Sequence, residues 1–325
     1  MTSVDRWQLP DGIEEVLPAR AATVERLRRR LLDLYRSWGY QLVIPPLMEF
    51  TDSLLTGLGQ DLDLLTFKMT DQLTGRTLGV RADITPQVAR IDAHSLAQQG
   101  VSRLCYAGST LHTRPKTLMA SRSPIQLGAE LYGDDSPAAD VEVIRLLLET
   151  LHCAGVEHDV TLDLGHVGIP EAVLDAAGLD GELEAVVFDA LQRKSVPDLT
   201  EALASVPAAA ADLVIGLVDL HGDDSVLTRA RELFAESAPQ ALAAVDALQD
   251  LATDIRHDQP DLNIYFDLAE LRGYHYHTGI VFAAYVAGHG QALANGGRYN
   301  DVGAVFGRAR PATGFATDLK ALIDL

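Results

Sequence analysis

The strongest constraint on this chain is the order of its two periodicities. Strand-like segments come in runs with hairpin-length links, both before residue 167 and after residue 258, and no βαβ alternation appears. Short links join antiparallel neighbours, whereas parallel strands need a long crossover. The expected fold class is therefore α+β, an antiparallel sheet flanked by helices. Residues 167–258 break the pattern. They are rich in Ala, Leu, Asp and Glu, poor in aromatics and helical in period, which predicts a helical insertion. The expected domains are residues 1–166 with 259–325 as one core and 167–258 as the insertion.

Local signals place the elements. Pro18 suits the first turn of a helix, and Leu27, Leu31, Leu34, Tyr35 and Trp38 continue its apolar face until Gly39. Tyr40 to Ile44 reads as a short buried strand stopped by Pro45 and Pro46. Residues 65–82 read as a hairpin turning at Gly75. Pro86 to Gln98 reads as a helix with Thr85 as its N-cap. Strands are expected at Arg103–Leu111, Ile125–Tyr132 and Val160–Leu164, with a helix over Ala138–Ala154. After the insertion come strands in NIYFDLAELRG and GIVFAAYVAG, a glycine-rich turn NGGRYND, and a terminal helix in GFATDLKALIDL.

The charge narrows the function classes. Forty-six acidic residues against 26 Lys and Arg give a net charge of -20, which offers no general attraction to nucleic acid or anionic lipid. Two cysteines, Cys105 and Cys153, exclude a disulfide framework and suit a reducing compartment. No signal peptide and no membrane-length apolar run is visible, so a cytoplasmic location is expected.

Four stretches carry polar groups in suggestive patterns. In VRADITPQVAR, Arg81 and Asp83 are expected on one face of a strand end. The carboxylate there can bind an amine, or the two can form a surface ion pair with a helix cap. In PIQLGAELYG, Gln126, Gly128 and Glu130 share one strand face opposite Ile125, Leu127, Ala129 and Leu131. That face is either ordinary exposed surface or the floor of a polar pocket, with Gly128 admitting a ligand to the backbone. NGGRYND lacks the residues of a phosphate-binding P-loop. In RGYHYHTG, His275 and His277 have the spacing of two metal ligands on a strand, with His289 as a possible third. No HxxxH, CxxC or carboxylate cluster accompanies them. No GxSxG elbow is present.

Taken in order, these stretches resemble the class II aminoacyl-tRNA synthetase core over Leu9–Leu325. The segment from Gly39 to Glu49, VRADITPQVAR, PIQLGAELYG, LRGYHYHTGIVF, NGGRYND and GFATDLKAL together resemble histidyl-tRNA synthetases in particular. The departures matter most. The family's second motif holds the ATP α-phosphate with an arginine, but Leu111 and His112 stand where Phe-Arg is expected. Arg114 matches a later family arginine. The third motif's ATP arginine is replaced by Ala321, after Thr317, Asp318, Leu319 and Lys320. Neither a methyl group nor a neutral imidazole replaces a guanidinium on phosphate. No anticodon-binding domain is expected after this motif. Adenylate formation and tRNA charging are therefore not expected.

The resemblance implies that the amino-acid side of the site is kept. Asp83, Thr85 and Gln126 match positions that hold the α-amino group, and Glu130 a position that bonds the imidazole. Arg272 matches the arginine near the carboxylate, and Tyr276 and His277 the pair lining the ring. His275 stands at a family aspartate. This combination resembles the regulatory subunits of ATP phosphoribosyltransferase, which are synthetase paralogues. That resemblance implies a short-form catalytic subunit as partner in a hetero-octamer, four of each chain. It further implies histidine as feedback effector in the first step of histidine biosynthesis. It implies no cofactor, no metal and no catalytic residue in this chain. An adenylate-forming ligase and a metal enzyme built on His275 and His277 are the competing readings.

Overall fold

The structure, a computed structural model, describes residues 7–55, 60–115, 120–156, 160–179, 181–271 and 276–325. The chain forms two compact units. The first comprises residues 1–134, 146–156 and 301–325, and the second residues 135–145 and 157–300.

The N-terminal half runs α1 (Pro18–Ser37), β1 (Gln41–Leu42), β2 (Met48–Phe50), α2 (Thr51–Leu54), α3 (Gln60–Leu65), β3 (Phe67–Thr70), β4 (Thr77–Val80), α4 (Thr85–Arg90), β5 (Ser102–Ser109) and β6 (Ile125–Tyr132). Then follow α5 (Pro137–Ala154), β7 (Val160–His166), α6 (Gly168–Ala176), α7 (Gly181–Gln192), α8 (Val196–Ala202), α9 (Ala208–Val218) and the two-residue β8 (His221–Gly222). The chain ends with α10 (Ser225–Ser237), α11 (Leu242–Asp258), β9 (Asn263–Asp267), β10 (Ile280–Val286), β11 (Ala294–Arg298), β12 (Ala312–Asp318) and α12 (Leu319–Ile323).

In the first unit the strands run β1-β5-β6-β12. The β5–β6 and β6–β12 pairs are antiparallel and β1–β5 is parallel. A separate antiparallel sheet has the order β2-β4-β3. Helix α1 starts at Pro18 as expected and buries Val24, Leu27, Leu31 and Tyr35. The Tyr35 ring meets Phe315 of β12 edge-on at 6.1 Å. In the second unit the order is β11-β10-β7-β9-β8, antiparallel except for β7–β9. There Leu162 and Leu164 of β7 and Ile264 and Phe266 of β9 are buried, as are Val245, Leu248 and Ile255 of α11. Such alternation on strands and three-to-four spacing on a helix is what joins a sheet face to a helix.

Several local expectations are corrected. Tyr40–Ile44 is not a buried strand: only Gln41 and Leu42 pair, both exposed, and the following prolines lack the amide hydrogens to extend the ladder. The hairpin at Gly75 is present, with φ +73° at that glycine, but β2 joins it as a third strand. Thr85 is the first helical residue rather than the N-cap, and its amide donates to the Asp83 carboxylate at 2.9 Å. The helix continues past Arg90 as a π-helical turn, Ile91–Leu96. NGGRYND is not a plain turn, because Asn295, Gly296, Gly297 and Arg298 lie in β11, paired with β10.

Candidate functional site

In the first unit, four of the expected site residues converge. Gln126 and Glu130 project from one face of β6, and Asp83 and Thr85 sit where β4 gives way to α4. Gln126 uses both ends of its amide. Its Nε2 donates to Asp83 Oδ1 at 2.8 Å, and its Oε1 accepts from the Ile84 amide at 2.8 Å. Asp83 Oδ1 also accepts from the Thr85 amide. Among the described residues no group bonds Asp83 Oδ2. The arrangement fixes a carboxylate with one oxygen saturated and the other open to a cationic nitrogen.

Glu130 is 1% exposed, so β6 is not an ordinary exposed strand. Glu130 Oε1 accepts from the Thr85 hydroxyl at 2.9 Å and the Tyr106 hydroxyl at 3.1 Å, and those two hydroxyls lie 2.9 Å apart. A buried carboxylate is costly without such donors. Tyr106 was not foreseen. It lies opposite Gly128 across the β5–β6 ladder, and a Cβ at Gly128 would collide with its hydroxyl. Gly128 therefore makes room for Tyr106, not for a ligand against the backbone. The sequence signal is a tyrosine at the fifth position of β5, but only the register sets it opposite the glycine. Gly314 plays the same part across β6–β12, where a side chain would strike the Glu130 carboxylate. Burial and the Glu130 charge hold the Tyr106 phenol well above its ordinary pKa, so it stays a hydroxyl donor.

Arg81 does not form a surface ion pair. It is buried, and its guanidinium donates to the carbonyls of Ser109 at 2.9 Å and Pro45 at 2.8 Å. It braces the edge of the site instead of facing Asp83. His112, at the position where the resemblance calls for an ATP arginine, is also buried, with Nε2 2.9 Å from the Ala82 carbonyl.

In the second unit, Tyr276 and His277 precede β10 rather than lying in a strand, so strand alternation does not set their directions. The Tyr276 ring stacks on Tyr299 at 5.0 Å and meets His277 edge-on at 5.2 Å. A Cβ at Gly297 would collide with the His277 ring. This explains the glycine inside β11: the strand must be bare where the imidazole crosses it. Arg272 and His275 lie outside the described residues. No group of three or more His, Cys, Asp or Glu among the described residues is placed to hold a metal ion. No helix among them is long and apolar enough to cross a membrane.

Comparison with known proteins gives a consistent picture. The histidyl-tRNA synthetase family model matches residues 12–322. The ATP phosphoribosyltransferase regulatory subunit of Ectopseudomonas mendocina (strain ymp) is 58% identical over 325 residues, covering all of this chain and 82% of that protein. The protein of the same name from Stutzerimonas stutzeri is 58% identical with the same coverage. Among solved structures, an ATP phosphoribosyltransferase regulatory subunit/histidyl-tRNA synthetase from Bacillus halodurans C matches with a TM-score of 0.85 and 27% identity, over 98% of this chain and 83% of that one. Histidyl-tRNA synthetase from Nostoc sp. PCC 7120 shares the fold, with a TM-score of 0.80 at 18% identity over 98% of this chain and 74% of that one.

Proposed function

The chain belongs to the ATP phosphoribosyltransferase regulatory subunits, a family built on the histidyl-tRNA synthetase fold, and from this we propose that it governs a separate catalytic chain rather than performing chemistry itself. The partner is a short-form ATP phosphoribosyltransferase catalytic subunit. This chain is required for the partner's activity and renders it sensitive to feedback by histidine, in a hetero-octamer of four chains of each kind.

The observation that carries the reading is a contrast within the first unit. The cluster of Asp83, Thr85, Gln126 and Glu130 is fully assembled and hydrogen-bonded. By the same resemblance, the two ATP arginines are His112, tied to the Ala82 carbonyl, and Ala321. Amino-acid recognition without phosphate recognition fits a sensor and not an adenylating enzyme. Histidine is the proposed ligand, with its ammonium at Asp83 and its imidazole at Glu130. By resemblance alone, Arg272, Tyr276 and His277 are further candidates for histidine recognition. The reading excludes tRNA charging and requires no metal or cofactor.

Calorimetry of the purified chain with histidine tests the sensor. Assay of the catalytic subunit with and without this chain, across a histidine titration, tests the regulation. Activation of the catalytic subunit and the appearance of histidine inhibition are expected together. Unchanged rate and unchanged histidine sensitivity would sink the proposal.

A further inference from the structure

The N-terminal segment ahead of α1 contributes a charged group to a place no motif predicted. Lys320, at the start of α12, is 3% exposed. Its Nζ donates to Glu14 Oε1 at 2.7 Å, with the hydroxyls of Ser121 at 3.0 Å and Ser123 at 3.5 Å also in reach. The other oxygen of Glu14 accepts from Arg20 Nη1 at 2.8 Å. One carboxylate is thus clamped between two cations beside two hydroxyls. That donor set is the chemistry that recognises an oxyanion.

Glu14 reaches the cradle because its segment is tied down. Arg122 donates from its amide to the Gly12 carbonyl and from Nη1 to the Asp11 carbonyl, each at 2.8 Å. Gly12 has φ +75°, and a Cβ there would press on the Arg122 side chain, so glycine is needed both for the turn and for the close approach. The remaining acids nearby are engaged otherwise. Asp324 pairs with Arg20, and Asp318 Oδ1 accepts from the amides of Lys320 and Ile125. Hydrogen bonding to Lys320 is the leading cause that holds the Glu14 carboxyl below its ordinary range.

We propose that Glu14 is a tethered anion occupying an oxyanion cradle formed by Lys320, Arg20, Ser121 and Ser123, and that it thereby shuts phosphate groups out of that cradle. The chain thus carries its own occupant for the buried Lys320 ammonium. This inference stands apart from the regulatory role and needs no partner to test.

Removing the carboxylate leaves Lys320 buried without its anion, so the vacancy should show as a new ligand dependence. The thermal midpoint of Glu14→Ala is followed as inorganic phosphate replaces chloride at constant ionic strength. It should rise with phosphate, while that of the wild type stays level and that of Glu14→Ala/Lys320→Met does not respond. By calorimetry Glu14→Ala should bind phosphate about tenfold more tightly than wild type, as expected for a charge-assisted site set free. Should Glu14→Ala fail to fold, Glu14→Gln keeps the side-chain length with a neutral amide and undergoes the same titration. Equal phosphate responses in wild type and variant, or a response that survives loss of Lys320, would overturn the proposal.

Discussion

At the scale of single residues, the first unit's cluster depends on what is missing as much as on what is present. Gly128 lacks a side chain because Tyr106 needs its place. Gly128→Ala should therefore destabilise the protein by about 1–3 kcal/mol, the usual cost of overpacking. The fall should appear in the denaturant midpoint at unchanged slope. Tyr106→Phe removes only the hydroxyl that donates to Glu130. It should weaken histidine binding by roughly 1 kcal/mol, the worth of one hydrogen bond, while the fold persists. An unchanged calorimetric affinity would show that Tyr106 does not orient Glu130 for a ligand. His166, at the end of β7, accepts a hydrogen bond from the Gly168 amide at its Nδ1. Burial lowers its pKa from 6.5 to about 4. The unfolded chain then binds a proton that the folded chain refuses between those values, so stability is lost as pH falls from about 6.5 toward 4. The loss amounts to at most about 3 kcal/mol, less to the extent that water reaches the half-buried ring. His166→Gln should flatten that part of the pH–stability profile, and an unaltered profile would assign the acid sensitivity elsewhere.

At the scale of elements, irregular backbone is held by buried ion pairs. The π-helical turn after α4 carries Asp92, which is 1% exposed and accepts from Arg310 Nη1 through both oxygens, at 3.0 and 2.9 Å. Arg310 also donates to the carbonyl of Gly100. One side chain thus joins the turn to the approach of β12. Breaking such a pair from one side leaves a charge buried, so Asp92→Ala should cost about 3–5 kcal/mol, whereas the paired change Asp92→Leu/Arg310→Met should cost much less. Chemical denaturation of the single and double variants measures both. Equal losses would mean that packing, not charge, holds the turn. Strand signals were legible for β6 because its apolar positions Ile125, Leu127, Ala129 and Leu131 alternate, and for β5 because it carries a short apolar run from Leu104 to Ala107. They failed for β11, where Asn295, Gly296, Gly297 and Arg298 carry no apolar alternation at all. There the ladder to β10 and the His277 ring above Gly297 define the strand, and neither is a local property.

At the scale of the whole molecule, a regulatory role makes a thermodynamic demand. If histidine alters the assembly with the catalytic subunit, then the catalytic subunit must alter histidine affinity by the same factor. A coupling of about 1–3 kcal/mol corresponds to roughly 5–150-fold. Histidine titrations of this chain alone and in the complex should differ by that factor, equal to the shift in subunit affinity with and without histidine. Identical histidine affinities in both states would exclude allostery through binding, whatever the kinetics show.

The sequence alone determined the class of fold, the strand runs with their short links, the helical stretch over 167–258 and the order of motifs, because each rests on local periodicity or on residues adjacent in the chain. It also carried Asp83, Thr85, Gln126 and Glu130 as candidates, through motifs that survive without coordinates. Tertiary structure alone decided which groups those residues touch. The Gln126 clasp on Asp83, the Tyr106 hydroxyl over Gly128, the inward turn of Arg81 and the Glu14–Lys320 pair join residues from 28 to 306 positions apart or set them by strand register. No period in the sequence encodes such distances. They are fixed by sheet pairing and by the cost of leaving a buried charge without a partner.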